Sequence, residues 1–361
     1  MSTPSTLAGP GTLAAVAEQT EGILAEFLTR KAASAAAHRM PDEVTTVLRD
    51  FLAAGGKRLR PLLCAAGWHA ASGHGTPDSV LRVAASLEMF HAFALIHDDI
   101  MDHSDTRRGK PTIHHALAAR HRDRRTAAAA DQLGASAAIL IGDLALTWAD
   151  ELLHTAGLSR RQLTAVLPLV DVMRTEVMYG QYLDLTSAGT SSTNLPLALA
   201  ICRYKTAKYT IERPLHIGAT LAGADESLRA ALSDFALLLG EAFQLRDDLL
   251  GVYGNPALTG KPALDDLREG KHTALTALAL QRANPTQADQ LRRFLGCPQL
   301  TDDQASVARN IITATGARDT VERMITDRCE QAEHALTHAP IPPDTAAALS
   351  HLAHVATRRT T

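Results

Sequence analysis

Three observations predict an all-α fold. Apolar residues recur at helical spacing along almost the whole chain, and no run alternates with period two long enough to require a strand. Aromatic residues make up only 4%, so the core must rest on Leu, Ala, Val and Ile, which pack readily between helices. The elements follow in order. Pro41 opens a segment through Ala54 that Gly55-Gly56 stops. Asp78 or Ser79, just after Pro77, can cap a helix running through Leu87 and Leu95 into a group of aspartates. Helical patterns then cover about 134–156 (ended by Gly157), 160–186, 196–222 and 226–253. Pro168 and Pro214 are expected to kink or divide two of these. Shorter helices are expected at about 271–283, 286–295, 302–336 and 343–357. The interruptions SAGTSSTNL (187–195) and GNPALTGKPALDDLREG (254–270) are turn-like, and no fixed-length repeat emerges. The expected organisation is a flexible N-terminal segment, 1–14, and a single all-α domain, 15–357.

Composition excludes several classes. With 361 residues, 21% of them charged, and a formal net charge of −3, the chain gives no reason to expect nucleic acid as a partner. The Arg-rich stretch ARHRDRRTAAAA, 119–130, reads as a solvated surface segment. Cys64, Cys202, Cys297 and Cys329 form no CxxC pair, so reduced thiols in a cytoplasmic protein are expected. The first residues lack the basic start and apolar run of a signal peptide. No stretch of roughly 18 uninterrupted apolar residues predicts a membrane span.

The stretch FALIHDDIMDHSDTRRGKPTIH, 93–114, is chemically unusual. At 100° per residue Asp98 and Asp102 share a helix face, with Asp99 to one side. Like charges at this spacing destabilise a helix by a few tenths of a kcal/mol, and they sit at the pole that disfavours anions. A cation would offset this. Oxygen-only ligands suit Mg²⁺, which keeps several waters and commonly bridges to substrate phosphate. EAFQLRDDLLG, 241–251, repeats the theme: an apolar helix expected to end in Asp247 and Asp248, with Gln244 three residues earlier on nearly the same face. Two such helix ends could hold several Mg²⁺ ions and a diphosphate between them.

Cations cluster beside glycine, proline or helix ends. GGKRLRP offers Lys57, Arg58 and Arg60; Arg107 and Arg108 precede Gly109; RYKTAKYT supplies Lys205 and Thr206; TGKP and REGKHT give Lys261 and Lys271. Arg binds phosphate bidentately and Lys as a compact charge. A metal-bridged anion site at the aspartates and a metal-free one at Lys57, Arg60 and Arg108 would together join two diphosphate-bearing substrates.

With these motifs the sequence closely resembles the trans-isoprenyl diphosphate synthases, or polyprenyl synthetases. The matching segments are GGKRLRP, DDIMD with RRGKPTIH, GQYLD (180–184), YKTAKYT, FQLRDDLLG and DDLREGKHT, in the family's order over about 55–273. The resemblance implies an isoprenoid synthase helical bundle around a deep central cavity, usually a homodimer. It implies that Asp98, Asp99, Asp102 and Asp247, beside Asp248, hold three Mg²⁺ ions and the allylic diphosphate. Arg107, Lys205 and Lys261 would add charge to that diphosphate, with Lys271 at the cavity mouth. Lys57, Arg60, His91 and Arg108 would hold isopentenyl diphosphate, and Thr206 and Gln244 would turn oxygens toward the allylic cation. The family's second motif often reads DDxxD, whereas the fifth position here is Gly251. Gln181 and Asp184, one helical turn apart, are expected to face the cavity, with Asp184 orienting Lys205. His69, His97, His103 and His115 are expected to be structural or exposed, and His114 to order the loop after Arg108.

Family members set product length with bulky residues before the first aspartates. Relative to Asp98, Ala94 lies about −40° around the helix, Phe90 about −80° and Phe93 about −140°, so the two rings could form one wall. The expected product is geranylgeranyl diphosphate, with farnesyl diphosphate next. Three other readings compete. A di-iron bundle would use the ExxH pairs Glu88/His91 and Glu151/His154 but leaves the basic motifs without a role. A class I terpene cyclase needs no second diphosphate site. A non-catalytic partner subunit would have lost metal or basic motifs, and apart from Gly251 none is missing.

Overall fold

A computed structural model describes residues 10–254 and 264–357. The predicted all-α class holds: among the described residues, the strands are two residues long each, β1 (Thr106–Arg107) and β2 (Lys110–Pro111). The chain forms two compact units, one of residues up to Ala65 plus His74–Leu163, the other of Ala66–Gly73 plus Thr164 onward.

The first unit contains α1 (Pro10–Ala37), α2 (Glu43–Ala53), most of α3 (Leu59–Ala70), α4 (Asp78–Met101), α5 (Ile113–His121) and α6 (Ala127–His154). Helix α4 packs on α6 and α1, and α5 on α6. Phe27, Leu28, Leu48, Leu63, Met89, Phe90, Ile96, Leu117, Leu152 and Leu153 are almost wholly buried, and Phe27 meets Trp148 edge-on at 6.1 Å. Helices α1, α3 and α5 were not singled out by sequence pattern. Helix α1 begins at Pro10, inside the segment expected to be flexible; residues 1–9 lie outside the described residues. Helix α4 starts as expected, but its N-cap is Pro77. Asp78 occupies the first turn, where it accepts from Arg82 at 2.6 Å. Helix α6 begins earlier than periodicity indicated because Thr126 caps it, accepting from the Ala129 amide. The Arg-rich stretch closes α5, makes one 3₁₀ turn at Arg122–Arg124 and opens α6, mostly exposed.

The second unit holds α7 (Arg160–Ser187), which starts in the first, then α8 (Leu195–Ile201), a π-helix (Cys202–Glu212), α9 (Arg213–Leu221) and α10 (Glu226–Tyr253). Six shorter helices follow: α11 (Asp265–Glu269), α12 (Ala274–Arg282), α13 (Pro285–Phe294), α14 (Asp302–Ala314), α15 (Ala317–His338) and α16 (Pro343–Thr357). Pro168 sits inside an unbroken α7, whereas Pro214 occupies the first turn of α9. Gly316, with φ +68°, divides the expected 302–336 helix in two. Capping boxes at Thr273/Thr276, Asn284/Gln287 and Thr301/Gln304 fix the starts of α12, α13 and α14. The core here joins Leu245, Leu249, Leu267, Leu275, Leu291, Leu300, Ile312 and Val321.

By length and composition α4 and α6 could each cross a membrane, because Ala, Leu, Ile, Val and Phe outweigh the polar residues that interrupt every long apolar run. In α4, 67% of the apolar window is buried inside the protein. All four cysteines are free.

Candidate active site

In the first unit the end of α4 carries the aspartates. Asp98 and Asp99 lie in its last turn, and Asp102 caps it, its amide donating to the Asp98 carbonyl at 2.8 Å. The hairpin that follows pairs Thr106 with Pro111 and Arg107 with Lys110, and this tight reversal returns Arg107 to the helix end. Arg107 Nε donates to both Asp99 oxygens at 2.8 and 2.9 Å, and Nη2 to Asp98 Oδ2 at 3.2 Å. Burial opposes the charge of Arg107, but Asp99, Asp98 and Asp102 outweigh it and raise its pKa. Asp99 is 1% exposed and engaged by this arginine, while Asp98 and Asp102 are half-buried.

The cationic motifs of the same unit converge. Gly55 (φ +88°) and Gly56 (φ +145°) make a turn only glycine enters easily. Arg108 Nη1 donates to the Gly55 carbonyl, and a β-carbon on Gly56 would lie 2.8 Å from Arg108 Nη2. The double glycine therefore receives the guanidinium from 53 residues away. His91 is held well below its ordinary pKa by burial, then by Arg60, Arg108, Arg107 and Arg58. Burial and, against the pull of Glu88, the neighbouring Arg58, Arg107 and Arg60 also lower the pKa of Arg108. A cluster whose positive charge lowers the pKa of both His91 and Arg108 is suited to an anion. Arg60 is buried and Lys57 half-buried. Arg58 has a different part: it is buried and donates to Glu88 (2.7 Å), Glu21 (2.9 Å) and the Leu52 carbonyl (2.5 Å).

In the second unit GQYLD and YKTAKYT come together. A β-carbon on Gly180 would lie 2.7 Å from Lys205 Cα, and one on Gly240 would lie 2.6 Å from Ala207 Cβ, so α7 and α10 approach the π-helix through glycine. π-Helical segments are rare and often mark functional sites. This one carries Lys205, whose Nζ donates to Asp184 Oδ2 at 2.6 Å, the pairing the GQYLD spacing anticipated. Gln181 is half-buried one turn before Asp184. Thr206 Oγ1 donates to Gln244 Oε1 (2.6 Å) and Gln244 Nε2 to Asp248 Oδ1 (2.7 Å).

Asp247 and Asp248 do not end their helix. Helix α10 continues to Tyr253, since Leu249–Tyr253 remains helix-compatible. Asp248 is 8% exposed, and its carboxyl is pushed up to about 8, first by burial and then by Asp266, Asp247 and Asp184, against the hydrogen bond from Gln244. Asp266 is the residue sequence reasoning missed. A β-carbon on Gly251 would lie 2.5 Å from Asp266 Cγ, so the small fifth residue of FQLRDDLLG admits a carboxylate from DDLREGKHT. The signal was there in the missing aspartate and the acidic start of the later motif. Lys271 Nζ lies 3.0 Å from Glu269 and 3.9 Å from Asp266. Lys261 falls outside the described residues.

A divalent cation fits these donors. Among the described residues no three Asp, Glu, His or Cys side chains form a ready metal cage, and Mg²⁺ is typically held by one or two carboxylates with substrate phosphate and water. Asp98 and Asp102 are oxygen donors one helical turn apart. Around Asp248, burial and three neighbouring carboxylates leave negative charge that a cation would neutralise.

The glutamates of the ExxH pairs are already engaged: Glu88 binds Arg58, and Glu151 binds Lys31. An all-α protein with buried carboxylates in both units and a dense guanidinium cluster in one is equipped for diphosphate chemistry. The polyprenyl synthetase profile matches residues 41–313. A geranylfarnesyl diphosphate synthase of Aeropyrum pernix is 33% identical over 300 residues, 83% of this chain and 89% of its own. A farnesyl diphosphate synthase of Geobacillus stearothermophilus is 34% identical over 286 residues, 77% of this chain and 90% of its own. Among solved structures, a geranylgeranyl pyrophosphate synthase of Corynebacterium glutamicum, complexed with isoprenyl diphosphate and magnesium, superposes with a TM-score of 0.89 at 42% identity. That match covers 95% of this chain and 99% of the other. The chain belongs to the polyprenyl synthetase family and is a short-chain trans-prenyltransferase.

Proposed function

We propose that the enzyme condenses isopentenyl diphosphate with an allylic diphosphate, in the presence of Mg²⁺, to make an all-trans product, foremost geranylgeranyl diphosphate. The observation that carries this reading is the Arg108–Gly55/Gly56 junction beside His91 and Arg60. It supplies a cationic seat for a second diphosphate that owes nothing to the aspartates, which a cyclase would not need.

In this reading bound Mg²⁺, three ions in all, would place positive charge on the allylic diphosphate oxygens and favour loss of the leaving group. Asp98, Asp102, Asp247 and Asp248 would hold the ions, with Asp266 in place of the aspartate that Gly251 lacks. Asp99 acts chiefly by aiming Arg107. Arg107, Lys205, Lys261 and Lys271 stabilise the charge of the departing diphosphate. Lys57, Arg60, Arg108 and neutral His91 seat isopentenyl diphosphate, and Gln181 lines the allylic site. Thr206 and Gln244 keep oxygen lone pairs toward the allylic carbon as its C–O bond breaks. The isopentenyl π electrons form the new C–C bond, and its C2 proton leaves with the diphosphate. Phe90 and Phe93, whose rings lie 5.2 Å apart, limit product length, with Ala94 leaving room beside them.

Residues 15–357 work as one catalytic domain in a cytoplasmic homodimer. Exposed Ile139 and Leu140 on α6, and the stripe Val172, Tyr179 and Tyr182 on α7, supply apolar surface for such an association. Sedimentation as a monomer at micromolar concentration would remove that part of the reading.

The test is incubation with isopentenyl diphosphate, Mg²⁺ and five-, ten- or fifteen-carbon allylic diphosphates, followed by product sizing. A twenty-carbon product is expected. A fifteen-carbon end point would make it a farnesyl synthase, and no elongation from any starter would overturn the condensation.

A further inference from the structure

We infer that His97 is a specificity-determining residue for product length, acting by holding Phe93, and that Gly142 of α6 lacks a side chain so that His97 can do so. The inference deepens the proposed function and rests on its reading of Phe90 and Phe93 as the length-limiting wall.

His97 is fixed from three directions. Its ring centroid is 4.8 Å from that of Phe93, with planes inclined by 57°. Phe93 in turn lies 5.2 Å from Phe90. The three rings thus form a column along one flank of α4, at spacings that bring helical side chains together. Nδ1 lies 3.1 Å from the Phe93 carbonyl, and Nε2 lies 3.4 Å from Asp143 Oδ1. The third constraint is steric. A β-carbon on Gly142 would overlap His97 Cε1 and lie 2.5 Å from Nδ1, so the edge of the imidazole occupies the space a side chain would take.

The consequence for specificity follows from burial. Phe90 is 1% exposed, whereas Phe93 is half-buried and its ring is braced by that of His97. A growing isoprenoid pressing on Phe93 therefore presses on a stack. Its resistance depends on an imidazole held by its own helix, by Asp143 and by a gap in α6. The groups that hold His97 are Phe93, Asp143 and the gap at Gly142, so its removal should alter where elongation stops rather than how fast it proceeds.

Four variants test this with isopentenyl diphosphate, farnesyl diphosphate and Mg²⁺, reading the ratio of twenty-five- to twenty-carbon product and the rate of isopentenyl consumption. Phe93→Ala is expected to lengthen the product. His97→Ala should raise the longer-product ratio roughly three- to tenfold, the range set by losing one aromatic pair, with consumption within about twofold of wild type. Gly142→Ala should give the same shift by expelling the imidazole. The His97→Ala/Gly142→Ala double variant should match His97→Ala alone, because both act through one ring. A lengthened product in Phe93→Ala with an unchanged ratio in His97→Ala overturns the role of His97 while leaving the wall intact. Unchanged products in Phe93→Ala and His97→Ala alike overturn both. Additive shifts in the double variant overturn the assignment of Gly142. Melting temperatures of all four separate these outcomes from misfolding.

Discussion

The carboxylate cluster around Asp248 makes a prediction about stability that needs no substrate. An unfolded chain gives up the Asp248 proton near 3.8, whereas the folded chain keeps it to about 8. Between those values the folded state binds more protons, so folding stability falls as pH rises, and it levels off below and above the window. At about 1.4 kcal/mol per pH unit the largest possible loss is roughly 6 kcal/mol. Relaxation of the cluster reduces it, and a loss of about 2–4 kcal/mol is a reasonable expectation. Asp248→Asn removes the titrating group while retaining an acceptor for Gln244 Nε2 (2.7 Å). Melting curves in a chelating buffer from pH 4.5 to 8.5 should show wild type losing several degrees that Asp248→Asn does not lose. Asp266→Asn, which removes one neighbouring charge, should fall between them. Mg²⁺ with inorganic diphosphate should restore wild type at pH 8, since binding replaces the proton by a cation. Parallel pH profiles for wild type and Asp248→Asn would refute the idea that buried like charge governs this site.

Other consequences are open to direct measurement. Asp98→Asn combined with Asp247→Asn should reduce turnover by at least about a thousandfold, and turnover near wild type would defeat the metal reading. Asp184→Asn frees Lys205 from its 2.6 Å partner and should lower kcat/KM for the allylic substrate by about tenfold, with little change in KM for isopentenyl diphosphate. Gly180→Ala places a methyl against the Lys205 backbone; about 1–3 kcal/mol of stability should be lost, together with activity. His114 is held down to about 4 by burial, then by His115 and His103. The folded chain therefore resists protonating it, and wild type should lose more stability than His114→Gln as pH falls from 6.5 toward 4.

What could be read in the sequence and what could not divide along physical lines. Helical periodicity, capping residues and glycine stops are local, so α4, α7, α10, α12, α13 and α16 could be placed within a few residues, whereas α14 and α15 read as one helix and α11 as part of a turn-like stretch. The candidate site residues are marked in the sequence as well, because Asp98/Asp102, Lys205/Thr206 and Gln244/Asp247 sit within short motifs at helical spacing. Local pattern was less informative where an element depends on its neighbours. The 202–212 segment looks like ordinary helix, and only packing against Gly180 and Gly240 accompanies its π geometry. Arg58 and Arg60 share one motif, yet Glu88 and Glu21 engage the former.

By itself, the sequence determined the fold class, the two kinds of charged motif and the residues able to bear diphosphate chemistry. These follow from spacing along one helix and from side-chain type. Tertiary structure alone decided which of those residues are engaged within the protein. It gave Asp99 to Arg107, seated Arg108 in the double-glycine turn, set Asp266 against Gly251 and fitted His97 into the gap at Gly142. Each of these depends on the approach of segments separated along the chain, and steric fit and buried charge act on distance in space, which periodicity in sequence does not encode.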